Sequence, residues 1–176
     1  LKAMIWLGLN CGFGCTDCSE LLWKHLDLDN GRADFARTKT NIGRNLPLWK
    51  ETVEALKTLH RVNERVFNTH HGNKFVRVEV KPKEDGTSKI VSYNKISDEF
   101  ARLLKKAAIT VPKGVGFYTL RRTAATLAAR SGDPFAVQKL LGHADLKMAS
   151  VYVQDVSEQT DRVINNSRQL ILKNDL

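Results

Sequence analysis

Residues 118–152 read YTLRRTAATLAARSGDPFAVQKLLGHADLKMASVY. Within this stretch, Ser131-Gly132-Asp133-Pro134 places a glycine stop before a proline start, and so separates a helix over 119–131 from one over 134–141. Arg121 and Arg122 open the first helix. Backbone N–H groups and the helix dipole already favour an anion there, and a guanidinium fork adds paired hydrogen bonds to phosphate oxygens. Gly142-His143 ends the second helix, where an imidazole can be aimed into a cleft, and Tyr152 follows nine residues later.

The rest of the chain fits an anion-binding protein. Across 176 residues there are 28 Lys and Arg against 19 Asp and Glu, a formal charge of +9. An excess of that size favours a polyanionic partner, nucleic acid before a membrane surface. With 42% apolar and 27% charged residues the chain can bury a core, and disorder is excluded as a general description. The apolar run Ala3 to Leu9 is too short to span a bilayer and lacks the layout of a signal peptide. The chain starts at Leu1 in helix-like sequence, so a longer parent protein is expected.

Working toward the N-terminus, LDLDNGRADFA carries an Asn30-Gly31 hairpin signal, and NLPLW supplies a further strand after the turn TKTNIGR. Residues 25–48 therefore read as a small antiparallel sheet with the turn Lys39–Gly43 at one tip. Helices are expected over 1–10, 17–24 (capped by Asp17 or Thr16), 50–66, 94–107, near 146–152, and over 157–172. Residues 67–92 read as polar loop, with VRVEV a candidate strand. The sum is a mainly α domain with a small antiparallel β-sheet, an α+β class. The domain is placed at 1–156, with 157–176 a C-terminal helix that packs on its own domain or docks on a neighbouring protomer.

Arg, His, Lys and Tyr gathered around one phosphate would suit phosphoryl transfer. No tight Asp/Glu cluster stands ready for magnesium, so no metal and no cofactor is expected. Tyrosine can attack phosphorus, but with an ordinary pKa near 10 it needs a proton acceptor and nearby positive charge. A lysine can protonate the leaving oxygen.

Arg121, the triplet Leu141-Gly142-His143 and Tyr152, in that order and spacing, resemble the catalytic core of the tyrosine recombinase (phage integrase) family. LDLDNGRADFARTKTNIGRNLPLW resembles that family's hairpin, with Lys39 at its lysine. The resemblance spans about residue 3 to about residue 155. It implies the catalytic-domain fold of these DNA breaking and rejoining enzymes, lacking their N-terminal core-binding domain. It further implies that Tyr152 attacks double-stranded DNA to form a 3′-phosphotyrosyl link. Lys39 would protonate the 5′ oxygen, and Arg121 and His143 would hold the non-bridging oxygens. DNA recombination and integration, a mobile element, a homo-oligomer on DNA, and a cytoplasmic, nucleoid-associated bacterial setting follow as implications. A relaxing topoisomerase of the same chemistry fits the box and hairpin less well.

Two positions depart from the family pattern. Its first catalytic arginine falls at Gly14, and its first histidine at Tyr118, which cannot carry an imidazolium charge. Loss of one preorganised oxyanion donor typically costs about 10²–10³ in rate, roughly 2.7–4 kcal/mol. Either another cation (Arg37, Arg44 or Lys24) fills the space, or the protein binds DNA with impaired cleavage. Arg37, Thr38, Thr40 and Arg44 flank Lys39 and are candidate contacts to DNA phosphates, weighed against a solvated turn. Arg122 reads as a structural residue, Asp17 as a helix cap or an orienter of a cation, and His70-His71 as solvated. Trp6, Trp23 and Trp49 read as packing residues. Cys11, Cys15 and Cys18 have the Cys-x3-Cys-x2-Cys spacing of an iron–sulfur enzyme, a distant alternative to small buried residues between helices.

Overall fold

The structure, a computed structural model, describes residues 1–83, 86–130, 133–150 and Ile164. Helix α1 (Lys2–Cys11) buries Ala3, Met4, Leu7, Gly8 and Cys11 along one side. It packs against α3 (Lys50–Lys57) and against α5 (Phe117–Ala129). The close approach to α5 requires a small residue at position 8, because a Cβ on Gly8 would lie 3.0 Å from Leu120 Cβ. Gly12 then ends α1 in the left-handed region at φ 63°, where glycine carries no Cβ penalty. Its carbonyl is thereby exposed to the start of α5.

Helix α2 (Cys15–Glu20) begins two residues earlier than its sequence suggests. Gly14 is the N-cap, and Asp17, sitting at N3 rather than at the cap, reaches back to accept the Gly14 N–H at 3.0 Å. The expected helix over 17–24 also ends early. Leu21–Trp23 leaves to pair with residues 64–66, with the Val66 N–H on the Leu21 carbonyl and the Trp23 N–H on the Glu64 carbonyl. A 3₁₀ turn over Trp23–His25 follows.

The antiparallel sheet is as its pattern predicts. Strands β1 (Leu26–Asp27), β2 (Arg32–Asp34) and β3 (Asn45–Pro47) lie in that order, with Ala33 opposite both Leu26 and Leu46. Asp27 accepts the Asn30 N–H, and Gly31 takes φ 61° to complete the tight turn.

Helix α3 stops at Lys57 rather than at residue 66. Thr58 turns its hydroxyl onto the Ala55 carbonyl, and Asn63 accepts the Arg65 N–H, local bonds that compete with further helix. Val66 and Phe67 then enter the core as extended chain. The stretch read as loop is a second hairpin, β4 (Val76–Pro82) paired with β5 (Ser88–Asn94). Val91 and Tyr93 alternate with polar residues, a strand pattern hidden by its lysines and serines. Asn94 caps α4 (Lys95–Lys106) through the Ser97 N–H, and Asp133 caps α6 (Pro134–Leu141) through the Phe135 and Ala136 N–H groups. Helix α7 covers Lys147–Ser150. The helix read over 157–172 lies outside the described residues, Ile164 excepted. Among the described residues no helix is long and apolar enough to cross a membrane.

Leu7 has no exposed surface and stands where α1 meets the rest of the core. Leu7→Ala should therefore lower stability by about 2–5 kcal/mol, read as a shift in the guanidinium midpoint at unchanged slope. A loss under about 1 kcal/mol would mean that α1 is not the central element.

Candidate active site

The turn that carries Lys39 is fastened to the end of α6. Gly142 ends that helix at φ 60°, and the His143 N–H returns to the Gln138 carbonyl. Its own carbonyl accepts from the Thr40 hydroxyl at 2.8 Å and from Arg37 Nη1 at 3.3 Å. A Cβ on Gly142 would lie 3.0 Å from Arg37 Cβ, so glycine is needed for the approach as well as for the turn. One carbonyl thus brings residues 37–40 against the residue preceding His143.

Arg121 sits one turn into α5 and is buried. Its guanidinium donates to the carbonyls of Gly12 and Leu141, joining the ends of α1 and α6. Asp17 faces it, with Oδ2 3.8 Å from Nη1. On its other side Asp17 Oδ1 accepts from Arg44 Nη2 at 3.1 Å. Arg44 also donates to the Phe35 carbonyl, and its guanidinium carbon lies 4.7 Å from the Phe13 ring centroid. Burial draws the pKa of both arginines down, and Asp17 opposes that shift. Both remain cations near neutrality. Asp17 therefore orients two cations, and it supports the start of α2 from N3 rather than from the cap position its sequence suggested.

His143 is 5% exposed, and its pKa falls to about 4 because of burial first, then the charges of Arg121 and Arg37. Arg121 Nη2 lies 3.4 Å from Nε2. A guanidinium only donates, so Nε2 accepts and the single proton of the neutral ring sits on Nδ1. That nitrogen has no partner among the described residues.

In front of these groups opens a cleft of about 450 Å³, lined by Gly14 to Asp17, Arg37 to Lys39, Asn94, Ser97, Tyr118 and Arg121. Lys39 and Thr38 are exposed at its rim, Arg37 is half-buried, and Tyr118 is 55% exposed. Lys39, Tyr118 and Arg121 thus line one cleft, His143 lies against Arg121 without lining it, and Tyr152 lies outside the described residues. Arg44 is a correction: with no exposed surface, its side chain cannot reach a DNA phosphate or fill the space beside Gly14. Thr40 spends its hydroxyl proton on Gly142. Lys24, exposed on the 3₁₀ turn, does not line the cleft. Nor does Arg122, which is exposed on α5 and, among the described residues, has no ion pair of the expected structural kind. Asn94 and Ser97 were missed; their capping motif marks a helix start but carries no signal that this start borders a cleft.

The three cysteines do not form a ligand-like group. Cys11 and Cys18 are buried on different helices, and burial pushes the Cys11 thiol up to about 12 and Cys18 higher than usual. A thiol held in that state resists becoming the thiolate that a cluster requires. Cys15 lies 3.5 Å from the Ser97 hydroxyl.

A family model described as the phage integrase family matches residues 1–159. The chain belongs to the phage integrase family. Solved structures agree in fold. XerA recombinase is 21% identical with a TM-score of 0.65, over 94% of this chain and 57% of its own. The Tn1549 transposon integrase in complex with a circular intermediate DNA is 21% identical with a TM-score of 0.60, over 94% and 57%. A lambda integrase dimer bound to a core site is 20% identical with a TM-score of 0.60, over 88% and 42%. This integrase-family chain thus has the tyrosine recombinase catalytic-domain fold and spans between 42% and 57% of the length of these structures. No curated protein sequence matches it.

Two expected outcomes follow from the charge arrangement. Asp17→Asn keeps an acceptor for the Gly14 N–H but leaves two buried guanidiniums without their counterion, and should cost about 3–5 kcal/mol in urea unfolding; no loss would show that the triad is not coupled. An unfolded histidine titrates near 6.5, so as pH falls from there through about 4 the unfolded chain takes a proton that folded His143 refuses, and stability drops. His25, also depressed by burial, contributes in the same direction. Comparison with His143→Gln isolates the His143 part: the variant should gain on the parent chain as pH falls from 6.5 to 4, with a constant difference above pH 7.5. A pH-independent difference would contradict the assignment.

Proposed function

We propose that this chain is the catalytic part of a site-specific DNA recombinase that cleaves and rejoins strands through Tyr152. The observation that carries the reading is the meeting of Lys39, Arg37 and Arg121, from segments far apart in the chain, around one cleft in a member of this family. The Tyr152 oxygen attacks a DNA phosphorus and passes its proton to water as the new P–O bond forms. The bond to the 5′ oxygen breaks, and the Lys39 ammonium gives that oxygen its proton. Arg121 and His143 hold the non-bridging oxygens as negative charge grows on them. The anion also favours protonation of His143, reversing part of the depression seen with the cleft empty. A 5′ hydroxyl from a second strand then attacks the phosphotyrosine and frees Tyr152, so the bond energy is retained without ATP.

Double-stranded DNA is the partner in this reading. Thr38 and Lys39 at the rim face it, and the protein assembles as a homo-oligomer in which residues 157–176 reach a neighbour and residues 1–156 form the catalytic unit. Integration or recombination in a mobile element, in the bacterial cytoplasm, is the setting that the family membership favours. A second reading, a DNA-binding relative with impaired cleavage, is favoured by one observation: Gly14 brings no side chain to the cleft.

A nicked suicide duplex distinguishes the two. The first reading predicts a covalent protein–DNA complex that Tyr152→Phe abolishes; DNA binding without any such complex supports the second. Lys39→Ala should slow cleavage by about 10²–10⁴-fold on ordinary DNA and much less when the leaving oxygen is replaced by sulfur, which departs without a proton. An equal loss on both substrates would remove Lys39 from the role of acid.

A further inference from the structure

We propose that Arg37 supplies, at the scissile phosphate, the cation that Gly14 does not carry. The proposal rests on reading the cleft as a phosphodiester site and names a residue of that site. The backbone at Gly14 is extended at φ −89°, and a Cβ there would meet only Asp17 Oδ2 at 3.8 Å and Tyr118 carbons at 3.9 and 4.0 Å. Position 14 thus borders open space in which a side chain would fit.

The cations nearby are not equivalent. Arg44 is sealed beneath Phe13 and held by Asp17 and the Phe35 carbonyl. Arg121 lines the cleft, but two carbonyls and the facing Asp17 fix its guanidinium where it is, so it holds its own place and does not fill the space beside Gly14. Arg37 lines the cleft and is half-buried. Among the described residues its one side-chain hydrogen bond is the long one to Gly142, made by a single Nη1. A guanidinium carries five donors, so most of this fork remains for an anion.

Charge points the same way. Three guanidiniums (Arg37, Arg44 and Arg121) and the Lys39 ammonium gather about one carboxylate, Asp17. Arg37 disfavours the charged state of Arg44, Arg121 and His143 alike, which places it close to all three. A phosphate diester would relieve this repulsion, and Arg37 reaches it from the same turn that presents Lys39.

Arg37→Gln tests the idea, since glutamine keeps an amide N–H group on the turn and loses the charge and most of the fork. Cleavage of the nicked duplex should slow by about 10²–10³-fold, and Gly14→Arg in the same chain should restore at least about a tenth of the parent rate. Orthovanadate binding, followed by vanadium NMR in the Tyr152→Phe background, should weaken by about tenfold or more on adding Arg37→Gln. Cleavage within about threefold of the parent, no rescue by Gly14→Arg, or unchanged orthovanadate binding would each overturn the proposal. If the parent chain forms no covalent complex, the recombinase reading fails on its own, and the orthovanadate comparison still decides the role of Arg37.

Discussion

One carboxylate organises this site. Asp17 accepts the N–H that starts α2, pairs with Arg44 at the root of the Lys39 hairpin, and faces Arg121 on α5. Three segments are thereby referred to a single charged atom group in a low-dielectric interior. Such an arrangement is seldom the cheapest way to stabilise a fold, because desolvating the ions offsets most of their attraction. Its yield here is placement: Arg121 cannot drift from the ends of α1 and α6 without leaving the carbonyls of Gly12 and Leu141 unsatisfied.

The Gly142 carbonyl does the complementary task for the mobile-looking half of the cleft. An exposed turn bearing Lys39 would ordinarily sample many positions. Bonds from Thr40 and Arg37 hold it against the residue before His143, so the turn and the end of α6 are tied together. The cost is crowding of like charge. His143 stays neutral under that field, and among the described residues the cleft is lined by more cations than carboxylates. A site built to receive a polyanion tolerates this repulsion when empty because the ligand removes it.

Much of the framework was legible in the residues. Asp133-Pro134 opens a helix, Asn30-Gly31 turns a hairpin, and Arg121 and Lys39 line one cleft. What the residues hid were contacts between distant segments. Nothing local distinguishes Arg44, with no exposed surface, from Arg37 on the rim; only the rings of Phe13 and Phe35 decide which arginine is covered. Helix α3 looked longer because Val66 continues its apolar spacing, yet pairing with Leu21 draws that residue into extended chain. Strand β5 was masked by Lys89, Ser88 and Ser92, which face water on a two-stranded ribbon. The Cys-x3-Cys-x2-Cys spacing suggested a ligand loop that burial on two separate helices replaces with packing.

The central claim is that one anion is shared by side chains from the hairpin and α5. A structure of the chain on a nicked duplex, with vanadate bridging the broken ends, tests it most directly. The account predicts vanadate oxygens within hydrogen-bond distance of Arg37, Lys39 and Arg121, with the Tyr152 oxygen in line opposite the 5′ oxygen. Vanadate and DNA backbone bound elsewhere, with this cleft facing solvent, would contradict it.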